Sequence, residues 1–242
     1  MATLEVTQLT KLFGSLLAVD RLNFSLRTGE VLGMIGPNGA GKTTVFNIIA
    51  GVDRPTSGQV RFEGTLVSGM KPHRICRLGV AKTSQTAEPF LGLSVIENVL
   101  VAALHGGRLR MRQARDRAEE ILLFLGLERY RHQRAAVLSV AQRRRLDLAR
   151  TLATGARVIL LDENMAGLNP HEIDETLDLL RKIRETGKSM IVVEHLMRAV
   201  MGISDRVIVL DHGTKIAEGT PKEVVDNEQV IRAYLGTKTT GF

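Results

Sequence analysis

Residues 36 to 44, Gly-Pro-Asn-Gly-Ala-Gly-Lys-Thr-Thr, have the composition and spacing of a phosphate cradle. They satisfy G-x-x-x-x-G-K-[ST] in full, a pattern in which a short loop turns its backbone N–H groups inward around a polyphosphate. Glycines at 36, 39 and 41 tolerate positive φ and let backbone come close to a dense negative charge. Lys42 is then expected to reach the β- and γ-phosphates of a bound triphosphate, and the Thr43 hydroxyl to face Mg²⁺. The start of the following helix adds partial positive charge. Asn38, Gly39, Ala40, Gly41 and Thr44 belong to the same cradle.

Three further segments end in polar residues after apolar runs. Val158 to Leu161 runs into Asp162-Glu163, Met190 to Val193 into Glu194-His195, and Gly79 to Gln85 into a polar loop. In open α/β sheets ligands collect at the carboxyl ends of strands, where these residues would converge with the loop after Ile35. Asp162 suits a carboxylate that holds Mg²⁺ through water, and Glu163 one that accepts a proton from the attacking water or orients it. His195 is placed to touch the γ-phosphate, and Gln85 to reach both metal and water. Taken singly, His195 and Gln85 read as ordinary loop residues; order and placement give them weight.

The elements that must carry these residues are visible in the hydrophobic pattern. Glu30 to Ile35 reads as a buried strand before the loop, and Val45, Phe46, Ile48 and Ile49 as one helical face closed by Gly51. Residues 3 to 9, 19 to 27 and 59 to 63 read as strands. Ser94 and Glu97 form a capping box for a helix that ends near His105-Gly106-Gly107. A second helix starts within the arginine-rich stretch 108 to 117 and stops at Gly126. Ser139 caps a third that runs to about Ala153. Helical spacing returns over 171 to 186 and through Val200, Asp211-His212-Gly213 predicts a hairpin, and Thr220-Pro221 opens a helix. The pattern is one α/β domain, with a core of about 1–85 and 156–242 interrupted by a helical insert at about 86–155.

Composition bounds the rest. With 242 residues, 44% of them apolar, the chain can bury a full core. No apolar run reaches the roughly 18 to 20 residues of a membrane span, and the N-terminus has no basic-then-apolar segment, so a cytosolic location is expected. One cysteine, Cys76, excludes an internal disulfide framework. A net charge of +7 favours anionic partners. The arginines of 108 to 117 read as a solvated face, because no aromatic is interleaved to stack bases, and nucleic acid is not expected.

Over essentially its whole length the sequence resembles the nucleotide-binding subunits of ABC transporters. The resemblance rests on the loop at 36 to 44, Gln85 in the Q-loop position, Leu138-Ser-Val-Ala-Gln142 as the signature, 158 to 163 as Walker B, Ala166-Gly-Leu-Asn-Pro170 as the D-loop and His195 as the switch histidine. It implies a P-loop ATPase domain with an antiparallel β subdomain and an inserted helical subdomain. Phe13 falls where the family stacks an aromatic on adenine, and Val19 joins it among the expected nucleotide contacts. Ser139, Ala141 and Gln142 would face ATP on a second ATPase subunit, identical or different. Transmembrane permease subunits are the other implied partners, which would place the chain peripherally on the cytoplasmic side of the membrane. Residues 13 to 19, 166 to 170 and 230 to 236 are similar to the branched-chain amino acid importer group. Lipopolysaccharide export, iron–sulfur cluster assembly, and DNA repair or translation are rival settings. Three departures stand out: Val140-Ala141 replaces Gly-Gly in the signature, Ser84 replaces Phe before Gln85, and Asn164 replaces Pro after Glu163. A positive φ at Ala141 would cost roughly 1 kcal/mol.

Overall fold

The computed structural model describes residues 2–84 and 88–235. They form two compact units, Met1–Met70 with Ser189–Phe242, and Lys71–Lys188. The first unit begins with β1 (Ala2–Phe13), β2 (Leu16–Arg27), β3 (Val31–Ile35), α1 (Lys42–Ile49), β4 (Ser57–Phe62) and β5 (Thr65–Leu66). The second comprises α2 (Pro72–Leu78), β6 (Val80–Lys82), α3 (Val95–His105), α4 (Met111–Phe124), α5 (Val140–Ala153), β7 (Val158–Asp162) and α6 (Pro170–Glu185). The chain then completes the first unit with β8 (Ser189–Val193), α7 (Met197–Ile203), β9 (Arg206–Asp211), β10 (Thr214–Gly219), α8 (Pro221–Val225) and α9 (Glu228–Leu235).

Two sheets organise the first unit. One is antiparallel, in the order β2-β1-β4-β5, and its strands alternate as half-buried strands must: Leu4 and Val6 of β1 and Leu22, Phe24 and Leu26 of β2 are buried. In the other, β3 pairs in parallel with both β8 and β9, and β10 folds back antiparallel on β9. All five residues of β3 are buried, as in a central parallel strand covered on both faces. Gly33 lets α7 lie close, since a Cβ there would sit 2.6 Å from Val200 Cγ1. The expected hairpin is present: Thr214 pairs with Asp211 across His212-Gly213, both at positive φ.

In the second unit β6 and β7 pair in parallel, and all of β7 is buried. The capping boxes of α3 and α5 form as their sequences dictate. Gly126, at φ 67°, follows the end of α4. Two expectations are adjusted. The strand expected over 79 to 85 covers Val80–Lys82, and α6 begins at Pro170 rather than 171, with Asn169 as N-cap. α2 is an addition, with Pro72 at its start and Gly79, φ 118°, at its end.

In the first unit Arg206 neutralises the buried Glu30 carboxylate. Its Nε donates to Glu30 Oε1 at 2.8 Å and its Nη2 to the Ser25 carbonyl at 2.6 Å, while Nη1 pairs with Glu218. Burial pushes the Glu218 pKa up, but Lys215 and Arg206 outweigh it and hold the carboxyl below its usual range. A depressed folded-state pKa contributes stability that is present above about pH 4.5 and lost as pH falls through the folded value. Arg206→Ala leaves the buried Glu30 carboxylate without its guanidinium, a loss on the order of 3 kcal/mol. Urea denaturation at pH 7 should show that loss; a change below about 1 kcal/mol would mean that the Arg27 N–H bond to Glu30 suffices.

Candidate nucleotide site

The loop after β3 has the geometry its sequence predicts. Gly36, Gly39 and Gly41 take φ of 152°, 79° and 98°. Two of them are also required by space, because a Cβ would come within 2.1 Å of the Leu210 carbonyl oxygen at Gly36 and 2.5 Å of the Ala18 carbonyl oxygen at Gly41. The β9–β10 hairpin braces the loop: Gly213 N–H donates to the Ala40 carbonyl at 3.2 Å, and Asp20 N–H to the Gly213 carbonyl at 2.9 Å. Gly41→Ala should therefore displace the loop, lowering ATP affinity roughly tenfold or more and costing about 1 kcal/mol or more in the fold. Calorimetric titration alongside a thermal melt checks both; unchanged affinity would separate the loop's shape from its function.

α1 starts at Lys42 with Gly41 as N-cap, no side-chain cap and no acidic residue in its first turn. The helices at Ser94, Ser139, Asn169 and Thr220 all satisfy their first amides with capping boxes. The first-turn N–H groups and positive end of α1 are thus left to an anionic ligand. Lys42 is buried, and its Nζ donates to the Gly36 and Pro37 carbonyls at 2.7 and 2.9 Å. The ammonium is held at the loop's own backbone, where phosphate oxygens can replace those carbonyls. Asn38, Gly39 and Thr43 are exposed, Ala40 is buried and Thr44 is half-buried.

Phe13 lies at the tip of the β1–β2 hairpin, 44% exposed, with the Lys11 ammonium 4.6 Å from its ring centroid. That exposure excludes a core role, and with Lys11 over one face of the ring only the other is open to a planar partner. Val19, by contrast, is fully buried and sits behind Gly41, so it supports the loop from below. His195 follows the end of β8 and is exposed.

The second unit carries the acidic residues. Asp162 ends β7 and is fully buried; neither carboxylate oxygen accepts an aligned hydrogen bond among the described residues. Lys82 Nζ lies 3.0 Å from Oδ2 and supplies the compensating charge that such a carboxylate needs. A buried carboxylate whose two oxygens accept no aligned hydrogen bond among the described residues fits a hard, oxygen-preferring cation such as Mg²⁺. Thr83 holds the strand end in place: its N–H donates to the Leu160 carbonyl at 2.9 Å, and its hydroxyl accepts from Asp162 N–H at 3.2 Å.

Glu163 is half-buried at φ 48°, a left-handed conformation that costs a non-glycine residue roughly 1 kcal/mol. Asn164, which stands where the family has proline, is buried.

Gln85 lies outside the described residues. Its neighbour Ser84 is tied to α5, with its N–H donating to Asp147 Oδ2 at 2.7 Å and its carbonyl accepting from Arg144 at 3.3 Å. Burial raises the Asp147 pKa, against the lowering effect of that backbone bond and of Arg150 and Arg144. Ser139 caps α5 and Gln142 closes its box, so both sit in the first turn. Ala141 is an ordinary helical residue of α5 without positive φ. The backbone penalty weighed for it does not arise.

Sequence reasoning missed Lys82 and Asp147. The available signal was an acid alone among Arg143, Arg144, Arg145 and Arg150 on one helix, a pattern that calls for a buried partner.

These features define a P-loop ATPase of the ATP-binding-cassette fold. A family profile described as ABC transporter matches residues 19–166, and the chain belongs to that family. A second profile, for branched-chain amino acid ATP-binding cassette transporters, matches residues 214–239. The chain is 41% identical to the high-affinity branched-chain amino acid transport ATP-binding protein BraF of Pseudomonas aeruginosa, over 96% of this chain and 97% of that protein. It is 40% identical to LivG of Escherichia coli, over the same shares. Against the lipopolysaccharide export ATP-binding protein LptB of Escherichia coli the figure is 32%, over 98% of each. Among solved structures, the ADP conformation of an ATP-binding cassette of an ABC transporter superposes with TM-score 0.89 at 28% identity, covering 98% of this chain and 99% of that one. A dimeric cassette in a post-hydrolysis state with ADP and Pi gives TM-score 0.80 at 27% identity, covering 90% and 98%. The protein is a nucleotide-binding, ATP-hydrolysing subunit.

Proposed function

We propose that this subunit energises an importer of branched-chain or related amino acids. The observation that carries the reading is the joint match of the whole chain and of β10 to α9 to branched-chain cassettes, above a loop shaped to take polyphosphate. The lipopolysaccharide-export reading is weaker, because its relative is less similar.

In this reading Lys42 and the first-turn amides of α1 bind the β- and γ-phosphates, and Phe13 stacks on adenine. Mg²⁺, when bound, neutralises the phosphates for attack, and Thr43, Asp162 and Gln85 are the residues that would hold it. Glu163 accepts the proton of the attacking water, and His195 steadies the γ-phosphate. Ser139, Ala141 and Gln142 face the nucleotide of a second ATPase subunit, whose hydrolysis they complete. No helix among the described residues is long and apolar enough to cross a membrane. In this reading the chain acts peripherally, on the cytoplasmic side of the inner membrane, through permease subunits that supply the path, as its likeness to transport ATP-binding proteins supports.

Affinity purification of the tagged chain from its native membranes tests the assignment. Permease subunits should co-purify, and the reconstituted complex should accumulate leucine, isoleucine or valine only with ATP. A complex indifferent to these amino acids but active on a lipid-linked glycan would move the chain to the export class.

A further inference from the structure

Away from the residues assigned to nucleotide chemistry, the second unit holds a cavity of about 400 Å³ bounded by α4, the C-terminal ends of α5 and α6, and Lys188. Its floor is apolar. Ile121, Leu152 and Ile183 are buried there, and Phe124 closes one side, 39% exposed. Its rim is cationic, with Arg117 and Lys188 both lining it. Lys188 is half-buried and has no carboxylate or hydrogen-bond acceptor among the described residues. Burial lowers its pKa, and the Arg117 and Arg157 guanidinium groups act in the same direction. Those two arginines are already engaged, Arg117 by Glu120 at 3.5 Å and Arg157 by the Leu78 carbonyl at 2.9 Å.

A partly desolvated ammonium that shares the rim of an apolar cavity with a guanidinium group is unfavourable alone and favourable once an anion joins it. An apolar cavity of this size with a few polar groups converging on one side is the usual form of a small-molecule site. Glu120, also on the rim, repels a second negative charge. We propose that this cavity binds a small amphipathic monocarboxylate, its hydrocarbon against Ile121, Leu152, Ile183 and Phe124 and its carboxylate against Lys188 and Arg117. Bulky dianions are disfavoured by Glu120, and simple inorganic anions gain nothing from the floor.

The test uses the full chain with sodium octanoate below its micellar concentration, followed by calorimetry and by methyl NMR of Ile121, Ile183 and Leu152. Octanoate should bind saturably at one site and shift those methyl signals. Lys188→Gln should weaken binding at least about tenfold, the share of one charge-assisted bond, and Arg117→Gln should weaken it in the same direction. Acetate, phosphate and octylammonium should fail to saturate. No saturable octanoate binding, equal binding by Lys188→Gln, or equal binding of octylammonium or phosphate would each overturn the proposal. Circular dichroism of both variants confirms that any loss is not a loss of fold.

Discussion

Lys42→Ala will lose ATP binding while keeping its fold. The ammonium now sits on the Gly36 and Pro37 carbonyls, which the loop turns toward it. What the substitution removes is the cation that faces two phosphates. Two charge-assisted hydrogen bonds at roughly 1.5 to 3 kcal/mol each correspond to an affinity loss of about a hundredfold or more. Titration calorimetry with ATP reads the loss, and the thermal melt should move little. Unchanged affinity would mean that the loop amides carry nucleotide binding alone.

Glu163→Gln will separate binding from hydrolysis. Glutamine keeps the shape and one carbonyl acceptor but cannot take a proton at neutral pH. The loss should be on the order of a hundredfold or more in turnover, within the range for removing a general base. ATP binding should persist, and with it a nucleotide-bound dimer. The left-handed backbone at Glu163 predicts a further result: Glu163→Gly relieves the strain and stabilises the turn, yet is as inactive as the glutamine variant. A variant with near-normal turnover would transfer the proton-accepting role to His195 or Gln85.

What was legible in the sequence was local. The phosphate loop, the capping box at Ser94, the N-cap at Ser139, the stop at Gly126 and the hairpin at His212-Gly213 each depend on residues within a few positions of one another. Propensity and turn chemistry act over that distance, so spacing alone exposes them. The antiparallel sheet was expected only through the family resemblance, because its pairing is non-local.

The partnerships that complete the site residues were not legible. Lys82 beside Asp162, Asp147 beneath Ser84 and Arg206 on Glu30 join residues far apart in the chain, and no periodicity encodes them. α2 was missed for a different reason. Its seven residues carry only a short apolar face, although Pro72 at its start and Gly79 at its end were readable punctuation. Ala141 shows the limit of motif comparison, since a family glycine suggested a strained backbone where the helix simply accepts alanine.

The measurement closest to the central claim is phosphate release from MgATP by the purified complex, wild type against Glu163→Gln, with bound nucleotide counted in the same samples. Both should hold equal ATP, with release continuing in the wild type and nearly absent in the variant. Equal release at equal occupancy would contradict the assignment of Glu163 as the residue that accepts the proton of the attacking water.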